Sequence, residues 1–449
     1  MEVGVKLKFL SYFDLRYFFL KFSSKLFSVL IKWIRNYTQL SINSGEDFIC
    51  IKNMEKELKS LIKYIIIGVL ILSVSTNVLI FSYYLQQYSI STFYKIVINK
   101  LFAENEESYR APIMPQIYTK DKLTLSFDKN VQTKSDFEVW KNKVLSNLNQ
   151  GMNIPSYNEI QLKPVRQLGF EDTDNYQITK YSMDAVDDDQ IIFYELLPKT
   201  VVDKIPAVII IPGSGNQGAL DVINKPSELS DYYYHRGIAK HIVREGYAVY
   251  VIENRGWGER AIDAGSLCKG VDINCSGKFF AQHLSSLGYN LGYLQVMDTT
   301  QLLKHIRNLE YVDSDNIAIA GISLGGGITM MVSALNKEVK SAIMASTISD
   351  VYHSWTFDAD GMLKYYDIPD IVSTIAPRPI YLSWGSQEPL PWFSFEAKTL
   401  YSVNKIKNAY FLFDAEENMT VVVHDDSYNS GHTFDIPSIL DFLNKTIRK

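Results

Sequence analysis

The stretch IAIAGISLGGGI at residues 317–328 constrains this chain more than any other. A short apolar run with the character of a buried parallel strand enters Gly-Ile-Ser-Leu-Gly and continues into ITMMVSAL, which reads as a helix. Strand, sharp turn and helix are therefore expected in that order. Such a turn lifts the Ser323 hydroxyl clear of a sheet, and its crowded backbone needs small residues on either side of the serine. Ser323 is the candidate nucleophile. The five-residue pattern alone arises by chance in many chains, so the strand before it and the helix after it carry the weight.

Further strand-like runs at 207–211, 247–252, 316–320, 339–345, 379–383 and 410–413 are mostly separated by helical intervals. That alternation predicts an α/β fold whose mostly parallel sheet is covered by helices on both faces. Before it, runs at 176–183 and 190–197 flank the acidic turn Asp187, Asp188 and Asp189, the pattern of an antiparallel hairpin. A helix is predicted over 135–148, capped by Ser135 or Asp136, with Phe137, Trp140, Val144, Leu145 and Leu148 on one face. A last helix is predicted over 437–447.

The N-terminal part has a different character. Residues 64–85 contain no charge over 22 positions, enough at about 1.5 Å per residue to cross a bilayer core of about 30 Å. A single transmembrane anchor is expected there. Lys52, Lys56, Lys59 and Lys63 precede it and the next basic residue is Lys95, which predicts a cytoplasmic N-terminus and an extracytoplasmic catalytic part. A cleaved signal peptide is the competing reading, but apolar residues run on past the poor small-x-small site at 73–75. Residues 1–63 hold 11 Lys and Arg against 6 Asp and Glu, while the rest holds 34 against 44. The acidic remainder offers no basic stripe for phosphates, so nucleic acid is not an expected partner. Phe9 to Tyr37 interleaves aromatic and basic residues as an interfacial helix would, and Met54 starts a signal-anchor pattern of its own. The organisation read from this is a basic segment 1–63, in which 1–53 need not belong to the native protein, an anchor 64–85, a linker with one helix 86–167, and a catalytic domain 168–449.

A serine hydroxyl attacks only when a base removes its proton and an acid orients that base. His353, His424 and His432 follow Ser323. His432 lies in a loop before the last helix, the late position expected of the base in the chain order serine, acid, histidine; His424 is its rival. Glu388, just after the strand at 379–383, is the preferred acid, with Asp350 and Asp358 as rivals. The developing oxyanion needs donors. The Leu324 amide is one, and the loop Pro212-Gly213-Ser214-Gly215-Asn216 supplies the second, Ser214 being preferred to Gly215.

The chain from about Asp136 to Lys449 resembles the dienelactone hydrolase and acetyl-xylan esterase-like branch of the α/β hydrolases. The matching segments are RGWGER at 255–260, VDSDNIAIAGISLGG at 312–326, IAPRPI at 375–380, and Gly431-His432. The resemblance implies an α/β-hydrolase fold and carboxylic-ester hydrolysis through an acyl-enzyme on Ser323, with His432 as base and then acid. Two positions depart from the family's habit: Pro212-Gly213 stands where His-Gly is usual, and Glu388 where aspartate is usual.

Function read from sequence is thus a membrane-anchored, extracytoplasmic serine esterase acting on small-molecule or glycan esters, with the bilayer as its other partner. No cofactor is expected, and no CxxC or histidine spacing suggests a metal. A peptidase of the same fold and an inactive binding scaffold are the alternatives. Residues 86–170 are too few for a peptidase's gating propeller, and the serine, acid and histidine set argues against a scaffold. Cys268 and Cys275 are a candidate disulfide outside the cytoplasm, worth about 2 to 3 kcal/mol for so short a loop. Tyr232, Tyr233 and Tyr234, with Trp257, Trp355, Trp384 and Trp392, are read as packing rather than as a sugar-stacking pocket.

Overall fold

The computed structural model describes residues 123–448 apart from 153–154, 202, 216–217, 224–233, 262–274, 350–363, 389–396 and 426–430. The predicted anchor at 64–85, the basic segment and Met54 lie outside the described residues. Among the described residues no helix is long and apolar enough to cross a membrane.

Two helices, α1 (Phe127–Asn130) and α2 (Lys134–Met152), precede the sheet. The helix predicted over 135–148 is thus present and longer. Phe137, Trp140, Val144, Leu148 and Met152 are buried along one stripe of α2, and burying each contributes about 1.5–3 kcal/mol. The Trp140 indole N–H donates to the Leu125 carbonyl at 2.7 Å, so its burial leaves no polar atom unpaired.

Four strands follow: β1 (Val165–Asp172), β2 (Tyr176–Asp184), β3 (Gln190–Pro198) and β4 (Ile205–Ile211). After α3 (Ala219–Val222) and α4 (Ile238–Arg244) comes β5 (Ala248–Ile252), then α5 (Cys275–Ser286) and α6 (Leu291–Arg307). The nucleophile segment is β6 (Val312–Ile322) and α7 (Leu324–Leu335). β7 (Ser341–Ala345), α8 (Ile368–Ser373), β8 (Ile380–Gly385), α9 (Ala397–Phe411), β9 (Met419–His424) and α10 (Ile436–Thr446) complete the order.

The nine strands form one sheet in the order β1-β2-β3-β5-β4-β6-β7-β8-β9. β1, β2, β3 and β5 pair antiparallel in succession, and all pairs from β5 across to β9 are parallel. The hairpin of β2 and β3 is as expected, turning at Asp187 to Asp189. Strand period sorts β4 between two cores. Ala207, Ile209 and Ile211 join the cluster that holds α2, α6 and α7, while Val208 and Ile210 join the one that holds α4 and α10. A strand buried on both faces reads as a continuous apolar run, which is why β4 to β8 were legible.

Two elements differ from expectation. The run at 410–413 is not a strand: Tyr410 and Phe411 end α9, and the last strand is β9. Tyr410 is buried with its hydroxyl on the Arg378 carbonyl, while Phe411 is 70% exposed. A four-residue apolar run has no period to separate strand from helix end. β1 was not anticipated, because its edge position leaves Leu168 and Phe170 more than half exposed and its sequence polar.

Candidate active site

The carboxyl ends of the parallel strands lie side by side and are tied to one another beyond the regular ladder. Ser323 N–H donates to Ala345 O at 3.0 Å, Ser346 N–H to Ser383 O at 2.8 Å and Ser386 N–H to His424 O at 2.8 Å. This edge is where an open α/β sheet holds its ligands. Ser323 occupies it with φ +56° and ψ −122°, a conformation that costs a non-glycine residue about 1–3 kcal/mol. The flanking glycines are required by distance. A Cβ on Gly321 would sit 2.1 Å from Gly325 O, and one on Gly325 would sit 2.1 Å from Ile211 O. Leu324 begins α7, so its N–H belongs to the first turn, which has no intrahelical acceptor.

Two strands away, Glu388 follows β8 and accepts at both carboxylate oxygens, 2.9 and 3.0 Å, from His432 Nδ1. The Glu388 side chain is wholly buried. The loop carrying His432 lies directly against the end of β8: a Cβ on Gly385 would fall 2.3 Å from Gly431 O, and Gly431 itself has φ +90°. With Nδ1 committed to Glu388, proton transfer to or from a substrate falls to Nε2. His424, the rival base, is buried at the end of β9, and neither of its ring nitrogens has a hydrogen-bond partner. Among the described residues no carboxylate orients it. Asp350, Asp358 and His353 lie outside the described residues.

The loop after β4 approaches the serine from the other side. A Cβ on Gly213 would be 3.0 Å from Ile322 O and 2.2 Å from the Tyr234 hydroxyl. Tyr234 donates that hydroxyl to Ser214 O at 2.6 Å, and its ring centre lies 5.3 Å from that of His432. Tyr234 therefore bridges the Ser214 loop and the candidate base. The Gly213 N–H donates to His235 Nε2 at 2.8 Å. Ser214, expected as the second oxyanion donor, carries the next amide along the loop.

Sequence reasoning missed the buried groups behind this loop. His235 Nδ1 meets Asp221 Oδ2 at 2.5 Å, Asn254 donates to Pro212 O at 2.7 Å, and Glu253 accepts from Ala219 N–H at 3.1 Å. Glu253 is fully buried, and burial pushes its carboxyl up to about 8. Gly218 and Gly258 make room for it, since a Cβ on either would lie 1.9 or 2.5 Å from its carboxyl atoms. RGWGER at 255–260 proves to be architectural. Arg255 binds Asp298 at 2.7 Å and Asp187 at 2.6 Å, and Arg260 binds Asp298 at 2.7 Å and Asp189 at 2.6 Å. The acidic hairpin turn is their counter-charge.

Cys275 is disulfide-bonded at the start of α5. Its partner cysteine, and with it the expected pairing to Cys268, lies outside the described residues. Trp257 is buried against Gly277 and Trp384 is buried in the core, as the packing reading expects. Tyr232, Tyr233, Trp355 and Trp392 lie outside the described residues. Among the described residues no group of three or more His, Cys, Asp or Glu could hold a metal ion.

Sheet order, covering helices and a serine at a strained strand-to-helix turn define the α/β-hydrolase fold. A family model for the Abhydrolase family matches residues 108–352, and the chain belongs to that family. It is 24% identical over 199 residues, 41% of this chain, to YtaP of Bacillus subtilis (strain 168), named as a hydrolase. That match spans 61% of the relative's length. Among solved structures, one from Bacteroides fragilis NCTC 9343 named as an acetyl xylan esterase superposes with a TM-score of 0.56 at 17% identity, covering 70% of this chain and 89% of that one. The methylesterase BT1017 gives 0.53 at 16% identity, over 72% and 68%. A glucuronoyl esterase from Teredinibacter turnerae T7901 gives 0.51 at 14%, over 72% and 88%. At these identities the likeness is one of fold.

Proposed function

We propose that this chain is a serine hydrolase that cleaves carboxylic esters of small molecules or glycans through an acyl-enzyme. The observation that carries the reading is the buried Glu388–His432 pair on the same strand edge as the strained Ser323 turn. The fold's resemblance to proteins named acetyl xylan esterase, methylesterase and glucuronoyl esterase supports a carbohydrate ester as substrate.

In this mechanism His432 Nε2 takes the Ser323 hydroxyl proton as Oγ adds to the ester carbonyl. Negative charge moves to the carbonyl oxygen, where the Leu324 and Ser214 amides receive it. Collapse expels the alcohol, which takes the proton from His432, and leaves the acyl group on Ser323. A water then adds with His432 again as base, and the carboxylic acid departs as the proton returns to Ser323. Glu388 holds the imidazole with its hydrogen on Nδ1 and stabilises the imidazolium of each transition state.

An anchored, extracytoplasmic address belongs to the same proposal. The uncharged run at 64–85 behind four lysines supports the anchor, and the disulfide at Cys275 supports an oxidising compartment, where such bonds persist.

A fluorophosphonate probe tests the chemistry. The purified chain is expected to label, Ser323→Ala to lose the label, and Glu388→Gln to turn over an activated ester about 10³- to 10⁴-fold more slowly. A folded wild-type chain that neither labels nor hydrolyses a panel of acyl esters would sink the reading in favour of a binding scaffold.

A further inference from the structure

The loop that carries Ser214 is held from behind by a second histidine and carboxylate, and their arrangement is specific to one peptide group. The Pro212–Gly213 peptide is clamped at both ends, its carbonyl by Asn254 at 2.7 Å and its N–H by His235 Nε2 at 2.8 Å. The Ser214–Gly215 peptide is clamped at its carbonyl by the Tyr234 hydroxyl at 2.6 Å. Between them stands the Gly213–Ser214 peptide, whose N–H is the amide assigned to the oxyanion. Its neighbours on both sides are held, so its own direction is set.

His235 can accept from Gly213 only if Nε2 carries a lone pair, which requires the tautomer with hydrogen on Nδ1. Asp221 Oδ2, 2.5 Å from Nδ1, selects that tautomer. Both side chains are only 2% exposed, and Tyr234 stacks on the imidazole at 4.0 Å between ring centres. Asp221 Oδ1 is buried without a hydrogen-bond partner, so this carboxylate is kept at a desolvation cost that an apolar pair of similar volume would avoid. What it secures is an acceptor for one amide beside the reacting serine.

We infer that Asp221 and His235 are positioning residues for the oxyanion loop, acting through Gly213 N–H to aim the Ser214 amide at the carbonyl carried by Ser323. The inference rests on the reading of Ser323 as nucleophile. Neither residue touches substrate: Asp221 fixes the tautomer, His235 fixes the Pro212–Gly213 peptide, and Ser214 does the binding. The departure from His-Gly to Pro212-Gly213 is then supplied from another element, by a histidine donated across space rather than along the chain.

The test uses the full chain with an activated ester and with two inhibitors: a trifluoromethyl ketone, which forms a tetrahedral oxyanion on serine, and the parent methyl ketone. His235→Leu is expected to lower kcat about 100-fold, the scale of losing one oxyanion donor, with KM changed less than about 3-fold. Affinity for the trifluoromethyl ketone should fall in parallel while that for the methyl ketone holds. His235→Gln, whose amide oxygen can still accept from Gly213, should recover about 10-fold of the loss. Unchanged kcat in His235→Leu overturns the inference. So does a loss shared equally by KM and both ketones with no rescue by Gln, the mark of a merely structural role. Should the Leu variant not fold, Asp221→Asn carries the test: a fall in kcat at unchanged KM supports the relay, and wild-type kcat overturns it. A wild-type chain that fails to label would sink the serine mechanism itself, a different outcome from an active enzyme indifferent to His235.

Discussion

Ser323, Glu388 and His432 were legible as candidates in the sequence because a G-x-S-x-G turn, a carboxylate just after a strand and a histidine in a late loop fall in the chain order serine, acid, histidine. Asp221, His235 and Glu253 were not, because nothing in their spacing says that Asp221 meets His235 or that Glu253 meets Ala219 N–H; those contacts exist only once β4, β5 and the loops beyond them are side by side. Glu253 yields a consequence in pH. Burial raises its carboxyl to about 8 from an ordinary 4.5, so between those values the folded chain keeps a proton that the unfolded chain releases. Its contribution to stability therefore falls as pH rises through that window, and the full penalty is present above about 8. Glu253→Gln, which keeps an acceptor for Ala219 N–H and cannot ionise, is expected to gain in Tm over wild type as melts are taken from pH 5 to pH 9. Parallel Tm profiles for the two proteins would show that Glu253 is not the group titrating.

At the scale of elements, the turn from β6 to α7 depends on the absence of side chains more than on their presence. Gly325→Ala would drive a Cβ to 2.1 Å from Ile211 O, a backbone atom of a central strand that has nowhere to go. A loss of about 3 kcal/mol or more is expected in denaturant melts, in the range reserved for core clashes and backbone strain. Gly151→Ala in α2 is the contrast. Nothing lies within 4 Å of its Cβ position, and the helix should gain about 0.5–1 kcal/mol. If both substitutions moved stability alike, crowding at the turn would not be the cause. Legibility followed burial in these elements: strands with both faces covered were read with their types correct, whereas the half-exposed edge strands β1 and β9 were missed, one left unassigned across the linker boundary at 167 and one displaced onto the end of α9.

At the scale of the molecule, α1 and α2 belong to the same core as the sheet. Five side chains buried by α2, at about 1.5–3 kcal/mol each, amount to as much as the 5–15 kcal/mol by which a typical domain is stable. Removal of the chain before Val165 is therefore expected to abolish cooperative unfolding and to produce a state that binds a hydrophobic dye. A truncated protein with a sharp melt at the wild-type Tm would show that α2 is dispensable.

The sequence by itself determined the alternation of strands and helices, the elbow at Ser323 and the types of residue able to complete it. Those are local properties: period, small residues at a sharp turn, and chemistry in chain order. The tertiary structure decided which carboxylate meets His432, that RGWGER serves charge pairing within the fold, and that Gly213 N–H faces His235. Each of these depends on strands far apart in the chain being adjacent in the sheet, and adjacency is set by how buried faces fit together, which no local pattern records.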